Sequence, residues 1–507
     1  MQKLLKEDMF VLDLANNHQG DEEHGLNIIR NMGEVAKKHG LQAALKFQFR
    51  QLGTFIHPDY KGRDDVKHIP RFESTVLTFD TYKKFTAEVK KQGMLSISTP
   101  FDEESIAWIH ELDIDIIKVA SCSASDKPLL EAIANAGRPV IISTGGLTLS
   151  QIDWLVSFFE AKKVDFAIMH CISLYPTPPE QLNLNQIDLL KKRYPEIPIG
   201  WSTHEEPTNL DAVKIAYAKG AQLFERHVGM NTDKYKLNGY SSTPDEVDAW
   251  MAAYKVAKDS CGGTERSPAP PEEINALRTL FRGVWAKKGI KKGEIIKRED
   301  IFFAMPLQEE QLVSGDFSND IVADRDYEAN QPINENIVKS DVAPDDLVYE
   351  IMLQVKGMLN NARIFVNKDA GIEISHHYGL ERFREFGCVI IDCINREYAK
   401  KLLIQLPRQK HPYHLHKKKE ETFQLLYGDL EVEVNGQRSK LLPGDTFLVE
   451  RGQWHKFHTL DGAIFEEVST THFNNDSYYE DQKIAKMERS ERKTNVDSWA
   501  EAFHWRY

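Results

Sequence analysis

The chain has 507 residues, 41% of them hydrophobic and 10% aromatic, and a formal net charge of −13. That length fits three or so globular domains at roughly 100–200 residues each, and the acidic balance disfavours nucleic acid or an acidic membrane face as a partner, while local basic residues still decide whether an anionic substrate binds. No apolar run approaches the ~20 residues a transmembrane helix needs. The start, MQKLLKEDMFVLDLANNHQG, lacks the apolar core and cleavage site of a signal peptide, and the cysteines (Cys122, Cys171, Cys261, Cys388, Cys393) are odd in number and scattered without a CxxC pair. A cytoplasmic protein with reduced thiols is therefore expected.

Over residues 1–260, short apolar runs recur: MFVLDLA, AALKFQ, MLSISTP, IIKVAS, PVIISTGG, FAIMHC, IPIGWSTH and AQLFERH. Charged amphipathic stretches such as EHGLNIIRNMGEVAKKHG lie between many of them. Buried strands alternating with helices predict a parallel sheet, and eight such strands in this length predict a (β/α)8 TIM barrel with its active site at the C-terminal strand ends. Polar residues fall where that rule puts them: Asp13, Lys46, Ser98, Thr99, Lys118, Ser121, Ser143, Thr144, His170, His204, Glu225 and His227. Each alone reads as a satisfied loop residue, but together they mark one rim. His204 and His227, ending neighbouring strands, read equally as a divalent-metal pair or as hydrogen-bonded loop histidines. Lys46 and Lys118 are placed at the ends of strands two and four, where each ammonium needs an anion, either a substrate phosphate or carboxylate or a structural carboxylate. The serine and threonine hydroxyls complete a cradle for such a substrate.

SCGGTERSPAPPEE, residues 260–273, breaks the pattern with Gly and Pro, and residues 261–276 read as a linker. A small β-rich unit is expected over 277–341, from FRGVWAKKGIKKGEIIKREDIFFAMP. Residues 342–384 give a mixed pattern and are taken as a connecting segment. Over 385–480, closely spaced alternating runs such as CVIIDC, KLLIQL, TFQLLYG and AIFEEVS predict an all-β sandwich or barrel. The charged tail, 481–507, is expected to be helical or frayed. His414 and His416, two apart on a strand, face one side, and with Glu421 and the later His455 they make a three-histidine, one-glutamate set suited to Zn2+, Mn2+, Fe2+ or Ni2+. His411 is expected at the surface, outside that set.

The ordered motifs FVLDLANNHQG, LKFQ, STPFD, IKVAS, IISTGG, MHCISLYPTP, STH and FERHVGM resemble the sialic acid synthases over residues 9–260. RGVWAKKGIKKGEII resembles the antifreeze-protein-like (SAF, β-clip) domain that follows the barrel in that family. The resemblance implies condensation of phosphoenolpyruvate with an N-acylmannosamine-type or related aldose, with C–O cleavage and release of phosphate. It implies Mn2+ or Mg2+ on His204 and His227, Lys46, Thr99, Lys118, Ser121 and Ser143 around phosphoenolpyruvate, and Ser202 among the substrate-binding residues. Asp13 stands in place of the family's glutamate to orient water, and Tyr175 lines the sugar site. Departures fall on the sugar side: Asp13 is shorter by one methylene, Ser123 stands where an acid often sits, Ser173 replaces an asparagine, and KLNGYSS lacks the usual aspartate. The reaction type is thus expected to hold and the aldose to differ. A domain-swapped homodimer is also implied, with Arg282 as the match to the residue that reaches the partner's sugar. Two alternatives stay open: a 3-deoxy-octulosonate or heptulosonate phosphate synthase, and a non-catalytic carbohydrate-binding protein.

HPYHLHKKKEETFQLLYG with LLPGDTFLVERGQWHKF resembles both halves of the cupin pattern, with Glu450 where a proline is usual. KKKEETF and FEEVSTTH resemble the sugar-isomerase branch of the cupins, which implies Glu466 or Glu467 as a base. Whether this domain turns over a sugar, or only holds a metal and a sugar, is left open.

Overall fold

The computed structural model describes residues 5, 8–264, 266–318, 321–336 and 344–503, and the chain divides into two compact units, Met1–Pro268 and Ala269–Tyr507. In the first, the apolar runs become β1 (Met9–Asp13), β2 (Gln42–Phe49), β3 (Leu95–Pro100), β4 (Ile116–Val119), β5 (Val140–Ser143), β6 (Phe166–Cys171), β7 (Ile199–Thr203) and β8 (Leu223–His227). They close in sequence order, with β8 parallel to β1. Helices between them bury one face each on the outside of the barrel. The helix Glu22–His39 shows why it starts and stops: the Asp21 side chain accepts from His24 N–H, and Gly40 ends it with a φ of 61°. Its buried stripe of Ile28, Ile29, Met32 and Ala36 joins the core beneath the helices.

The barrel interior explains the rim. Side chains of a strand alternate in and out, and Met9, Val11, Ala44, Ile97, Ile116, Ile141, Ala167, Met169 and Leu223 form one buried apolar plug. Two residues further along each strand the inward position turns polar: Val11 gives way to Asp13, Ala44 to Lys46, Ile97 to Thr99, Ile116 to Lys118, Ile141 to Ser143 and Leu223 to Glu225. At Gly200 on β7, a Cβ would stand 2.8 Å from both Leu223 Cβ and Leu223 O, so this crowded layer admits only glycine.

The second unit begins inside the expected linker, where Pro271–Arg278 is a helix with no buried residue. The small β-rich unit follows, with β9 (Gly283–Ala286) and β10 (Ile301–Ala304) antiparallel and further single bridges such as Ile295 to Val322. It has its own core around Val284, Ile296, Ile301 and Leu312. The expected boundary at 341 lies outside the described residues.

The remaining strands are β11 (Gly371–Ser375), β12 (Cys388–Asn395), β13 (Tyr398–Gln405), β14 (His414–Leu415), β15 (Glu421–Gly428), β16 (Leu430–Val434), β17 (Gln437–Leu441), β18 (Thr446–Val449), β19 (His455–His458), β20 (Ala463–Thr470), β21 (Tyr478–Tyr479) and β22 (Lys493–Val496). They form a seven-stranded sheet in the order β18-β15-β20-β13-β12-β11-β22 and a five-stranded sheet in the order β17-β16-β19-β14-β21.

Two expectations are corrected here. Residues 342–384 do not merely connect. The helix Pro344–Ala362 buries Ile351, Met352, Val355 and Leu359 in one cluster with Ile372, Ile391 and Ile404, and β11 pairs with β12. The tail is helical in part, as expected, over Gln482–Lys486 and Arg489–Arg492, but it also adds a strand that was not expected, since β22 pairs with β11 as the edge strand. Its charges have an inward partner: Glu373, buried on β11, takes Arg489 at 2.6 Å and is paired with Lys493. Burial opposes the charge on Glu373, but Lys493 and Arg489 outweigh it and hold the carboxyl below its ordinary range. Among the described residues no helix is long and apolar enough to cross a membrane.

Candidate active site and candidate metal centre

The polar layer of the barrel opens into a cavity of about 800 Å3. At its floor lies a four-charge cluster. Lys46 Nζ is 2.9 Å from both Asp13 Oδ2 and Glu225 Oε1, and Lys118 Nζ is 3.4 Å from Glu225 Oε2. Lys118 also donates to Ser143 Oγ at 2.5 Å, and Ser202 Oγ donates to Glu225 Oε1 at 3.1 Å. Both lysines thus have structural carboxylates, and each ammonium, with three donors, keeps one to spare. Burial works against the Lys46 charge, but Asp13 and Glu225 overcome it and hold the ammonium above the ordinary lysine range. Burial lowers Lys118, with Glu225 opposing. Glu225 would be raised by burial, yet Lys118 and Lys46 hold it well below the usual carboxylate range.

Beside this cluster the His204 and His227 rings lie 5.3 Å apart between centroids. His204 Nδ1 donates to the Ile172 carbonyl at 2.8 Å, which leaves Nε2 with a bare lone pair. His227 Nε2 is 3.3 Å from Asp13 Oδ2. Burial, reinforced by His227, pushes His204 down to about 3, and burial also lowers His227. Two neutral imidazoles with a carboxylate alongside are a donor set that fits a divalent ion with open positions. Tyr175 packs over His204 at 4.1 Å between ring centroids, and Tyr240 lies 5.3 Å from His227.

The cavity brings together Asp13, Lys46, Thr99, Lys118, Ser121, Ser143, Ser173, Tyr175, Ser202, His204 and His227. Thr99 Oγ1 is buried without a hydrogen-bond partner, and Ser121 Oγ accepts from Gly145 N–H at 3.0 Å. Several rim expectations are corrected. Lys46 does not end β2, which runs on to Phe49. Ser98 alternates away from the interior, His170 bonds the Leu182 carbonyl at 2.8 Å, and Thr144 donates to the Met169 carbonyl at 3.0 Å, so these three are satisfied or outward-facing scaffold residues. Ser123 is buried and does not line the cavity. Sequence reasoning missed Gln48 and Arg50 as lining residues, and gave Glu225 no role. The signal was present: Lys46 and Gln48, like Glu225 and His227, stand two apart on one side of a strand, and Arg50 continues that spacing just past the end of β2.

In the second unit, ligand atoms of His414, His416 and His455 all lie within 4.8 Å of one another. Each ring donates its Nδ1–H to a backbone carbonyl: His414 to Pro412 at 3.1 Å, His416 to Asp476 at 2.6 Å and His455 to Gln453 at 3.1 Å. A carbonyl can only accept, so each Nε2 carries a lone pair, and the three converge. Glu421 completes the set, with Oε1 3.5 Å from His416 Nε2 and Oε2 3.2 Å from His455 Nε2. Neither His455 Nε2 nor Glu421 Oε2 has a well-directed hydrogen bond although both are buried, which fits a metal better than a closed polar core. Lys419 is buried between Glu421, with which it pairs, and Glu467, 2.9 Å away. Burial raises the Glu467 carboxyl. Asp476, missed in the sequence, accepts from the backbone N–H groups of Lys417, Lys418 and Lys419 and so fixes this loop.

Two details are corrected here. His411 is not at the surface: it is buried, stacked 4.4 Å from Phe457, with the tilted His414 ring 4.4 Å away. Of the two candidate bases only Glu467 faces inward. Glu466 is its neighbour on the opposite face of β20 and pairs with Lys400 at 2.5 Å.

Comparison with known proteins decides the family. The NeuB family profile matches residues 32–266, and a cupin domain profile matches residues 402–466. The chain is 30% identical over 284 residues to N-acetylneuraminate-9-phosphate synthase of Drosophila melanogaster, covering 54% of this chain and 72% of that one. It belongs to the NeuB family. Within that family it is 27% identical over 310 residues to a pseudaminic acid synthase of Campylobacter jejuni, covering 59% of this chain and 88% of that one. The crystal structure of a spore coat polysaccharide biosynthesis protein E from Chromobacterium violaceum superposes with a TM-score of 0.64 at 40% identity, covering 66% of this chain and 100% of that one. In this NeuB-family barrel three of the four departures from the sialic acid synthase pattern line the cavity, Ser123 being the exception. Asp13 stays on the cavity floor, and Asn238 and Tyr240 of KLNGYSS reach the cavity wall. Arg282 is exposed at the start of β9 in the second unit.

Proposed function

We propose that the barrel is a nonulosonate synthase that condenses phosphoenolpyruvate with an N-acylmannosamine-type or related aldose. The observation that carries this is the pairing, in one cavity of a NeuB-family barrel, of two neutral imidazoles with two buried ammoniums that each keep a free donor. A divalent ion held by His204 and His227, Mn2+ or Mg2+, would supply Lewis-acid polarisation of the aldehyde oxygen.

Lys46, Lys118, Thr99, Ser121 and Ser143 bind the phosphate and carboxylate of phosphoenolpyruvate, and Tyr175 and Ser173 line the aldose side. The enol carbon of phosphoenolpyruvate bonds to the aldehyde carbon, and the aldehyde oxygen takes a proton from solvent to become a hydroxyl. Water adds to the cationic carbon left behind, its proton accepted by the Asp13 carboxylate, and the bridging C–O bond breaks to release inorganic phosphate. The enzyme's contribution is mostly position and preorganised charge, because the lysine and carboxylate cluster is already fixed.

The fused cupin is read as a metal-bound sugar domain, with His414, His416, His455 and Glu421 as ligands. Glu467, raised by burial and bridged to Lys419, is placed as a base for aldose–ketose isomerisation. The small β-rich unit is read as the antifreeze-like domain, and the assembly as a cytoplasmic homodimer in which Arg282 serves the partner's sugar site.

The test is an aldose panel offered with phosphoenolpyruvate at saturating Mn2+, scored by released phosphate and by the mass of the acid product. A product equal in mass to aldose plus pyruvate is expected. No phosphate release with any N-acyl or plain hexose sinks the synthase reading.

A further inference from the structure

Arg50, just past the end of β2, is firmly held. The Phe101 N–H donates to the Phe49 carbonyl at 3.1 Å, and the Asp102 carboxylate accepts from Gln51 N–H at 2.9 Å, so the backbone on both sides of Arg50 is fixed. Its guanidinium carbon lies 3.6 Å from the Phe101 ring centroid and 4.2 Å from that of Phe72. Its Nε is buried without a hydrogen-bond partner, and it makes no ion pair among the described residues. An aliphatic side chain would pack between two phenylalanines without the cost of desolvating a charge. The charge therefore needs another explanation.

What the guanidinium does engage is Gln48, two residues earlier on β2. Arg50 Nη2 donates to Gln48 Oε1 at 3.1 Å. A guanidinium can only donate, so the atom facing it is the amide oxygen, and the amide nitrogen is turned the other way. That nitrogen faces Asp13 Oδ2, 3.4 Å away. A carboxylate can only accept, so this short chain works in one direction alone: reversed, the amide would oppose oxygen to Asp13 and N–H to the guanidinium. Asp13 Oδ1 accepts from Ala15 N–H at 2.9 Å, and Lys46 Nζ stands 2.9 Å from Oδ2. With Gln48 as a further donor, the carboxylate is braced against rotation.

We propose that Arg50 is a positioning residue for the condensation: it fixes the direction of the Gln48 amide, and Gln48 holds the Asp13 carboxylate in the orientation that accepts the proton of the attacking water. This rests on the synthase reading and adds to it a side chain that acts through another. A general base is worth about 10²–10⁴-fold, and much of that is lost when the base is misaligned.

The experiment is a double-mutant cycle on kcat for phosphate release from phosphoenolpyruvate, with whichever aldose the wild-type protein turns over. Arg50→Met and Gln48→Ala are each expected to lower kcat about tenfold or more. Arg50→Met should leave KM for both substrates, and the affinity for phosphoenolpyruvate by calorimetry, within about twofold of wild type. In the Gln48→Ala background the same Arg50→Met change should cost less than about twofold, because the amide it acts through is gone. Arg50→Lys, which keeps a donor toward Gln48, should recover part of kcat. If Arg50→Met does not fold, Arg50→Gln, which can present either an oxygen or an N–H, takes its place in the cycle. Losses that multiply in the double variant, a raised KM for either substrate on replacing Arg50, or wild-type kcat in either single variant would overturn the proposal while leaving the synthase reading intact. No phosphate release by the wild-type protein with any aldose removes the synthase reading itself, and this inference with it.

Discussion

Replacing His204 by alanine should reduce aldose-dependent phosphate release by about a thousandfold or more, because Lewis-acid activation of a carbonyl is worth several kcal/mol. The Nδ1–H of His204 is spent on the Ile172 carbonyl, which leaves the Nε2 lone pair free, and its ring lies 5.3 Å from that of His227. Alanine removes that donor and the ring under Tyr175, but leaves the lysine and carboxylate cluster whole. The variant should therefore fold, with an unchanged far-ultraviolet spectrum, and still bind phosphoenolpyruvate by calorimetry. His414→Ala, in the other unit, should retain phosphate release. If His414→Ala abolishes release as fully as His204→Ala without unfolding the chain, the main chemistry has been assigned to the wrong unit.

The second large effect concerns the cupin. The double variant His414→Ala/His455→Ala should bind a divalent ion at that centre at least a hundredfold more weakly, since even outer-sphere partners of a ligand cost about 10–100-fold. Exhaustively dialysed wild-type protein should take up two ions per chain on titration with Mn2+ or Zn2+. The cupin double variant and His204→Ala/His227→Ala should each take up one. Lys419 sharpens this expectation, because its ammonium pairs with Glu421 and Glu467 and competes with an incoming cation for the same carboxylate. Lys419→Met should accordingly tighten the cupin site or leave it as tight, provided the loop fixed by Asp476 keeps its shape. Two ions per chain still taken up by the cupin double variant would contradict the ligand assignment.

The barrel and its rim were legible because one rule governs both. An inward position that is apolar low in the barrel turns polar two residues later, so Val11 and Asp13, or Ile116 and Lys118, could be read directly from the strings that contain them. What stayed hidden depends on contacts between distant segments. Arg50 looks like an ordinary charged residue after a strand until Phe72 and Phe101 close on its two faces. Glu225 could be seen, but not that it neutralises two lysines from strands far away in sequence.

In the cupin, the histidine and glutamate spacing announced the centre. His411 misled because three histidines within six positions suggest one to spare, and only the fold stacks its ring against Phe457. The strand in the tail went unread because its lysine and arginines looked like surface charge, yet their partner, Glu373, lies on a strand more than a hundred residues earlier. The helix Pro344–Ala362 carries its apolar residues at helical spacing, but what it covers is set by β11 and β12, which follow it.

The most direct measurement uses phosphoenolpyruvate labelled with 18O at the bridging oxygen, turned over with whichever aldose supports phosphate release. Cleavage of the C–O bond sends the label into inorganic phosphate and leaves the acid product unlabelled at that oxygen. This is the result expected if water adds to the carbon after the new C–C bond forms. Label retained in the organic product, or labelled phosphate released at the same rate without any aldose, would contradict the proposed condensation.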